Sequence, residues 1–219
     1  MDGFTVRRLE MVDTQIEARG IRDARLLDAM RRVPREEFVP PSSRSSAYDD
    51  HPLPIGDGQT ISQPYVVALT IHAAGVDRSS RVLDVGTGSG YAAAVMAELV
   101  DRVVTIERHQ ALSDAARDVL GRLGYTNVDL VVGDGTLGWP DAAPYDAIVV
   151  AAAAPQVPQP WLDQVRVGGR IIMPVGSPSY GQRLQRITRR AEGPPRVVDL
   201  GGVTFVPLVG AHGMLPPPT

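Results

Sequence analysis

The sequence predicts an α/β fold, a doubly wound and mostly parallel sheet with helices on both faces. Three observations predict it. After Gly75, short β-branched runs alternate with helical ones, which is typical of a covered parallel sheet. The runs Val82–Val85 and Ala147–Val150 are almost wholly apolar, as expected for strands buried on two sides. A glycine-rich segment, residues 86–90, separates the first of these strands from a helix, as in nucleotide-binding folds.

The predicted elements follow one another along the second part of the chain. In order they are strand 81–85, helix 91–99, strand 103–106, helix 111–123, strands 128–132 and 145–151, helix 160–165 and strand 170–175. Two late strand-like runs, 183–189 and 203–209, have no helix between them, so we expect them to pair antiparallel at one edge of the sheet. Pro207 marks the last run as an edge strand or a bulge.

An N-terminal helical addition precedes this alternation. Residues 4–33 have the pattern of two short amphipathic helices, which Gly20 separates, with Asp23 as N-cap of the second. The composition of residues 40–58 is that of a loop, and a further helix opens at Pro64.

These elements predict one structural domain. We expect residues 1–75 to pack on a core of residues 76–209, and the proline-ended stretch 210–219 to be a mobile tail.

Composition excludes several classes of function. The chain has 219 residues, no cysteine and a net charge of −3, which argues against thiolate chemistry and against attraction to nucleic acid. No apolar run is long enough to span a membrane, and the four histidines are scattered without ligand spacing. We therefore expect a cytoplasmic, monomeric protein that holds no metal and binds neither nucleic acid nor membrane.

The glycine-rich turn is the first candidate binding site. Glycines between a strand and a helix let the backbone approach a ligand closely. The turn consists of Gly86, Thr87, Gly88, Ser89 and Gly90.

Acidic residues after successive strands suggest which ligand binds there. Glu107, followed by Arg108, ends the strand 21 residues after Gly86, where a carboxylate can accept hydrogen bonds from ribose hydroxyls. Asp84 would repel a pyrophosphate but suits an ammonium or sulfonium group. Asp134, before Gly135, could accept from an adenine amino group, although it could equally be a turn residue. This pattern favours S-adenosylmethionine over a dinucleotide.

Ser62 precedes the helix that opens at Pro64. Its hydroxyl could cap that helix or face the cofactor, and as a bare serine capping is the more common role.

At this point the chain resembles the protein-L-isoaspartate (D-aspartate) O-methyltransferases, which are class I S-adenosylmethionine-dependent methyltransferases with a Rossmann-like fold. The matching motifs are Val33–Arg35 with Phe38–Pro40, Pro52–Gly56, Gln59–Pro64, Val82–Tyr91, Gly133–Gly135, Tyr145–Ile148, Pro155–Pro158, Gly168–Arg170, Pro174–Gly176 and Phe205–Leu208. They occur in order over residues 10 to 209, almost the whole chain. The segment Thr60–Pro64 and the ending Phe205–Leu208 are specific to this family rather than to the fold.

The resemblance implies a function and a set of site residues. Ser62 would be the family's active-site serine, and Thr60, Ile61 and Ser62 would line the floor between donor and acceptor. The strand around Val206 would lie beside a bound peptide. The implied reaction is methylation of the free α-carboxylate of L-isoaspartyl residues in damaged proteins and peptides.

Three alternatives remain open from the sequence. An enzyme of the same type could methylate a normal aspartate in one precursor peptide and so form an aspartimide. A small-molecule O-methyltransferase would share the sheet, because this fold does not determine the acceptor. A dinucleotide-binding oxidoreductase or a nucleotide-sensing module would share the glycine turn.

Overall fold

The computed structural model describes residues 2–177 and 180–214. Its helices are α1 (Gly3–Met11), α2 (Ala24–Arg32), α3 (Pro64–Ala74), α4 (Tyr91–Ala97), α5 (Gln110–Arg122) and α6 (Gln159–Gln164). Its strands are β1 (Leu53–Gly56), β2 (Gln59–Ile61), β3 (Arg81–Val85), β4 (Arg102–Glu107), β5 (Val128–Val132), β6 (Tyr145–Val150), β7 (Val165–Ser177), β8 (Gly181–Thr188) and β9 (Arg196–Val203).

The large sheet has seven strands in the order β5-β4-β3-β6-β7-β8-β9. Strands β3 to β7 run parallel, and β8 and β9 add antiparallel to the edge at β7. Because β4 and β5 lie on one side of β3 and β6 on the other, the strand order reverses beside β3. Open α/β sheets bind ligands at the carboxyl ends of the strands at such a reversal. The predicted fold class is confirmed.

Both faces of the sheet are buried. Successive strand residues point to opposite faces, so Val82 belongs to one hydrophobic cluster and Leu83 to another. Side chains of α1 to α4 pack in the first cluster, and Trp161 of α6, which is fully buried, packs in the second. Met11 and Met30 of the N-terminal addition share the first cluster with Val82. The addition and the sheet therefore form one continuous core.

The N-terminal helices follow the sequence signals. Helix α1 continues as a π-helix over Val12–Ile16 and a 3₁₀ turn over Glu17–Arg19, and ends at Gly20 with φ of 96°. The Asp23 side chain accepts hydrogen bonds from two amides of the first turn of α2. Both the break and the cap are confirmed.

A small hairpin begins inside the segment 40–58 that we predicted to be a loop. Strands β1 and β2 pair antiparallel across Asp57 and Gly58, which have φ of 48° and 67°. Two consecutive residues with positive φ are typical of Asp-Gly hairpin turns. The loop prediction is therefore wrong for residues 53–56, and the Asp-Gly pair was the signal for the hairpin.

The last strand lies earlier than predicted. Strand β8 pairs antiparallel with β7 as expected, but its other neighbour is β9 (Arg196–Val203), not the predicted run 203–209. That run leaves the ladder after Val203; beyond it, Pro207 forms an isolated bridge to Ala153 and Val209 forms one to Met214. Proline cannot donate to a ladder, and in this run Leu208 is buried by contacts made outside a regular strand while its apolar neighbours are partly buried.

The beginning of the predicted mobile tail makes specific contacts. The amides of Ala211 and His212 donate to Asp134 Oδ2 at 2.8 Å and to Thr136 Oγ1 at 3.1 Å. The Met214 amide donates to the Leu208 carbonyl. Residues 210–214 thus have defined hydrogen-bond partners, and residues 215–219 of the predicted tail lie outside the described part of the chain.

Candidate functional site

The glycine turn joins β3 to α4 at the carboxyl edge of the sheet. Gly86, Gly88 and Gly90 have φ of 93°, 53° and 88°, a region that L side chains seldom occupy. A Cβ on Gly90 would come within 3.3 Å of Ala116 and 3.4 Å of Leu120 in α5. Backbone conformation and helix packing therefore both require glycine here.

Glu107 lies directly beside this turn at the end of β4. Its Oε2 accepts the Gly88 amide at 2.9 Å, and its Oε1 accepts the amides of Arg108 and His109 at 2.9 and 3.0 Å. Only 6% of the residue is exposed. A carboxylate offers about four acceptor positions, so one position remains on Oε2 for a ligand hydroxyl. A second hydroxyl would have to share a position with one of these amides.

A cavity of about 370 Å³ opens between the turn and the hairpin β1–β2. Predicted site residues at its wall are Thr60, Gly86, Gly88, Glu107, Arg108 and Gly135. The segment Val206–Val209 closes its other side. The volume suits a small-molecule ligand. A side chain does not fit at Gly135, since a Cβ there would lie 2.7 Å from Val85 Cγ1. These features fit S-adenosylmethionine, with Glu107 at the position expected for a ribose partner.

Asp84 does not line this cavity. It is fully buried below the turn, where Thr105 Oγ1 donates to its Oδ2 at 2.8 Å and its Oδ1 has no hydrogen-bond partner in the described chain. Burial raises the pKa of Asp84 to about 7, the Glu107 charge adds to the shift, and the Thr105 hydrogen bond opposes it. With Ser62 and Phe205 it lines a small cavity of about 30 Å³ next to α3.

Two side chains of the turn support its shape instead of facing the cavity. Thr87 is buried, and its hydroxyl hydrogen-bonds that of Thr105 at 2.6 Å. Ser89 Oγ accepts the Tyr91 amide at 3.4 Å, at the start of α4. Neither Thr87 nor Ser89 lines the cavity.

Asp134 is occupied by other parts of the chain. Its Oδ1 accepts the amide and hydroxyl of Thr136 at 2.9 and 2.6 Å, and its Oδ2 accepts the Ala211 amide at 2.8 Å. Partial burial alone would raise the pKa of Asp134, but these hydrogen bonds together lower it. The turn-residue interpretation and a ligand contact through the remaining Oδ2 position are both compatible with this geometry.

A larger cleft of about 740 Å³ adjoins the cavity. Thr60, Ala151 and Val206 line both spaces, so a ligand in one meets a ligand in the other at these residues. Ser62 lines the cleft and is half-buried. Ile61 lines neither space, because the alternation along β2 turns it into the core, where it is 4% exposed.

Ser62 does not cap α3. The N-cap position is Gln63, and its side chain makes no capping hydrogen bond. Within the described residues the Ser62 hydroxyl has no hydrogen-bond partner, and the Ser62 carbonyl accepts from Arg35. The hydroxyl is therefore available to the cleft.

Gln182 is a residue of the site that we did not identify from the sequence. Its Nε2 donates to the Phe205 carbonyl at 3.0 Å, and its Oε1 accepts the Phe205 amide at 2.6 Å. The side chain thus supplies the pairing that a neighbouring strand would give, and holds the segment after β9 over the cleft. An amide at an inward position of an alternating strand was the only signal.

Comparison with known proteins identifies the family. A profile of the protein-L-isoaspartate(D-aspartate) O-methyltransferase family (PCMT) matches residues 6–213. The chain belongs to this family. A relative from Pelobacter propionicus, protein-L-isoaspartate O-methyltransferase 2, is 56% identical over 207 residues, which cover 94% of this chain and 92% of the relative.

Two solved structures are similar over nearly the whole chain. One protein-L-isoaspartate O-methyltransferase has a TM-score of 0.82 at 32% identity, covering 94% of this chain and 67% of the other. A Plasmodium falciparum structure of the same enzyme type, in complex with S-adenosyl-L-homocysteine, has a TM-score of 0.79 at 26% identity, covering 92% and 98%. The predicted family and fold are confirmed.

Two kinds of feature are not found among residues 2–177 and 180–214. No group of three or more His, Cys, Asp or Glu side chains is placed to hold a metal ion. No helix there is both long and apolar enough to cross a membrane.

Proposed function

We propose that the protein transfers a methyl group from S-adenosylmethionine to the free α-carboxylate of L-isoaspartyl residues in proteins and peptides. The observation that carries this proposal is the wall that cavity and cleft share at Thr60, Ala151 and Val206. A donor in the cavity and a carboxylate in the cleft would meet there. Proximity of this kind contributes effective molarities on the order of 10⁵ M or more.

The donor would be held by the glycine turn and the end of β4. Glu107 would accept a ribose hydroxyl, and the backbone at Gly86 and Gly88 would lie against the amino-acid part, where no bulky side chain intervenes. When bound, S-adenosylmethionine supplies an electrophilic methyl group on a sulfonium. Asp84, buried behind the turn, would favour that positive charge in its ionised form.

The acceptor requires orientation and no proton removal. An α-carboxylate has a pKa of roughly 3.5 and is ionised at neutral pH, so no general base is needed. The Ser62 hydroxyl at the cleft would hydrogen-bond to this carboxylate and orient it. Ser62 therefore acts as an orienting group and not as a nucleophile.

Discrimination against normal aspartate follows from geometry. In isoaspartate the main chain passes through the side chain, which leaves the α-carboxylate free; aspartate presents its carboxylate one methylene from the backbone. If the peptide on each side is held in the cleft, only one of the two linkages places a carboxylate at the shared wall. A misplacement of about 1 Å can cost on the order of 100-fold in rate.

The decisive experiment compares two peptides that differ only in this linkage. With labelled methyl donor, we expect kcat/KM for the isoaspartyl peptide to exceed that for the aspartyl peptide by about 100-fold or more. Equal rates, or a preference for aspartate in one sequence context, would instead support the enzyme that forms an aspartimide. Calorimetric titration of S-adenosylhomocysteine against NAD tests the donor site separately.

A further inference from the structure

Arg35 links three parts of the chain beside the cleft. It lies in a 3₁₀ helix, Arg35–Phe38, and its side chain is fully buried. Its Nε donates to the Ala47 carbonyl at 2.7 Å, and its Nη2 donates to the Ser62 carbonyl at 2.8 Å. The Arg35 guanidinium therefore connects the N-terminal addition to Ser62, two residues before α3 begins.

This buried charge has no acidic partner in the described part of the chain. No carboxylate oxygen there lies within 4.0 Å of Arg35, and its Nη1 makes no hydrogen bond. Its guanidinium carbon lies 4.9 Å from the Tyr91 ring centroid, a favourable but modest contact. Burial lowers the pKa of Arg35 to about 10, so the group stays charged at neutral pH.

A buried cation without a counter-ion is a costly way to join two loops. Removing charge from water is compensated only by excellent pairing, and apolar packing often stabilises a fold equally well. Such exceptions to good packing are expected at functional sites. One of the two carbonyls to which Arg35 donates is that of Ser62, a residue that lines the cleft.

The hydrogen bond from Arg35 fixes the Ser62 carbonyl, which makes no hydrogen bond with α3. Gln63 provides no side-chain cap, and the Ser62 carbonyl lies outside the hydrogen-bond ladder of α3, which begins at Pro64. Holding this carbonyl restricts rotation of the peptide plane between Ser62 and Gln63. The direction of the Ser62 side chain depends on that plane.

We propose that Arg35 is a positioning residue, which holds the Ser62 backbone so that the Ser62 hydroxyl meets the acceptor carboxylate in the cleft. This inference rests on the proposed function. Since small misplacements of a reacting group carry large rate costs, loss of the contact should slow methyl transfer while the donor site is unaffected.

The same helix offers a matched control. Arg170 Nη1 donates to the Ala74 carbonyl at 2.9 Å, at the opposite end of α3. Arg170→Met removes this one contact with α3. Arg35→Met removes the contacts with the Ala47 and Ser62 carbonyls, and only the second of these lies beside the Ser62 hydroxyl, two residues before α3 begins. If both arginines only support the fold, the folded protein has a similar kcat in both variants.

The experiment measures kcat and KM for the isoaspartyl peptide, the Kd of S-adenosylhomocysteine and the melting temperature. We expect Arg35→Met to lower kcat at least about tenfold more than Arg170→Met, with Kd changed by less than about threefold. Arg35→Lys keeps the charge but cannot reproduce the planar fork, so we expect an intermediate loss. It carries the test if Arg35→Met does not fold.

A double-mutant cycle with Ser62→Ala tests the coupling. If Arg35 acts through the hydroxyl, Arg35→Lys causes less than about a twofold further loss of kcat in the Ser62→Ala background. An equal loss in both backgrounds, or equal kcat for Arg35→Met and Arg170→Met, would overturn the inference. Failure of the proposed function can be told apart from failure of this inference, because the wild-type enzyme would then not prefer the isoaspartyl peptide. In that case the double-mutant cycle is measured with the methyl acceptor that the wild-type enzyme does use.

Discussion

The Gly88 amide donates to Glu107 Oε2 at 2.9 Å and so ties the glycine turn to the end of the neighbouring strand. The two residues are 19 positions apart; Gly88 lies in the turn that follows β3, and Glu107 ends the adjacent parallel strand β4. The same carboxylate accepts the amides of Arg108 and His109. Glu107 therefore shapes the donor cavity in addition to offering it an acceptor.

The first prediction concerns Glu107→Gln. The amide keeps the size of the side chain but replaces an acceptor oxygen with a donor that faces backbone N–H groups. Hydrogen bonds to charged groups contribute about 1.5–3 kcal/mol each. We expect the affinity for S-adenosylhomocysteine, measured by calorimetry, to fall at least about tenfold. Asp118→Asn on exposed α5 is the control, and an equal affinity for both variants would refute the assignment.

The second prediction concerns Ser62→Ala. Loss of an N-cap lowers the free energy of unfolding by roughly 1 kcal/mol, which lowers the melting temperature by a few degrees. Because Gln63 and not Ser62 is the N-cap of α3, we expect a smaller change than this. We expect kcat to fall more than about tenfold, with the cofactor Kd unchanged. Ser42→Ala, at an exposed position, serves as control. A lower melting temperature with normal kcat would restore the capping role.

The third prediction concerns the pH dependence of stability through Asp84. Its folded pKa of about 7 lies above the unfolded value of roughly 3.9. Between these values the folded state retains a proton that the unfolded state releases, so stability decreases as pH rises from about 4 to 7 and is level above. Asp84→Asn lacks this titration. We measure the free energy of unfolding by urea titration without methyl donor and take the difference between Asp84→Asn and wild type. We expect this difference to shift in favour of Asp84→Asn from pH 5 to pH 8. If the free energies of the two proteins change with pH in parallel, the prediction is wrong.

The fourth prediction concerns Gln182→Met. The variant keeps the side-chain volume but leaves the Phe205 amide and carbonyl without their partners, which costs about 1–3 kcal/mol for a buried group. The segment at Val206 would shift in both cavity and cleft. We expect kcat/KM for the peptide to fall about tenfold or more. Gln185→Met on the same strand is the control, and equal rates for both would show that the segment is held by other contacts.

The sequence alone was sufficient to predict the parallel sheet. Alternation of short apolar runs with helical ones depends on burial along each element, which is a local property of the chain. The glycine turn, the Asp23 cap and Glu107 at the end of β4 follow from the same kind of local pattern. These features needed no knowledge of distant contacts.

The late strand was not predictable in this way. The run 203–209 has strand-like composition, but its backbone pairs with the Gln182 side chain and with Ala153, which are distant in sequence. Composition reports that a segment will be buried, whereas the partner that buries it is decided by the assembled sheet.

The site residues divide along the same line. Local patterns at strand ends placed Glu107 and Gly88 beside a ligand space, whereas Ser62 was placed there by the family resemblance, since the residue alone favoured helix capping. Tertiary structure decided that Ile61 faces the core, that Asp84 is buried below the turn, and that Arg35 reaches the Ser62 carbonyl across 27 residues. The physical reason is that side-chain direction and hydrogen-bond partners depend on which elements come together in space, and a one-residue change of register reverses the face that a side chain occupies.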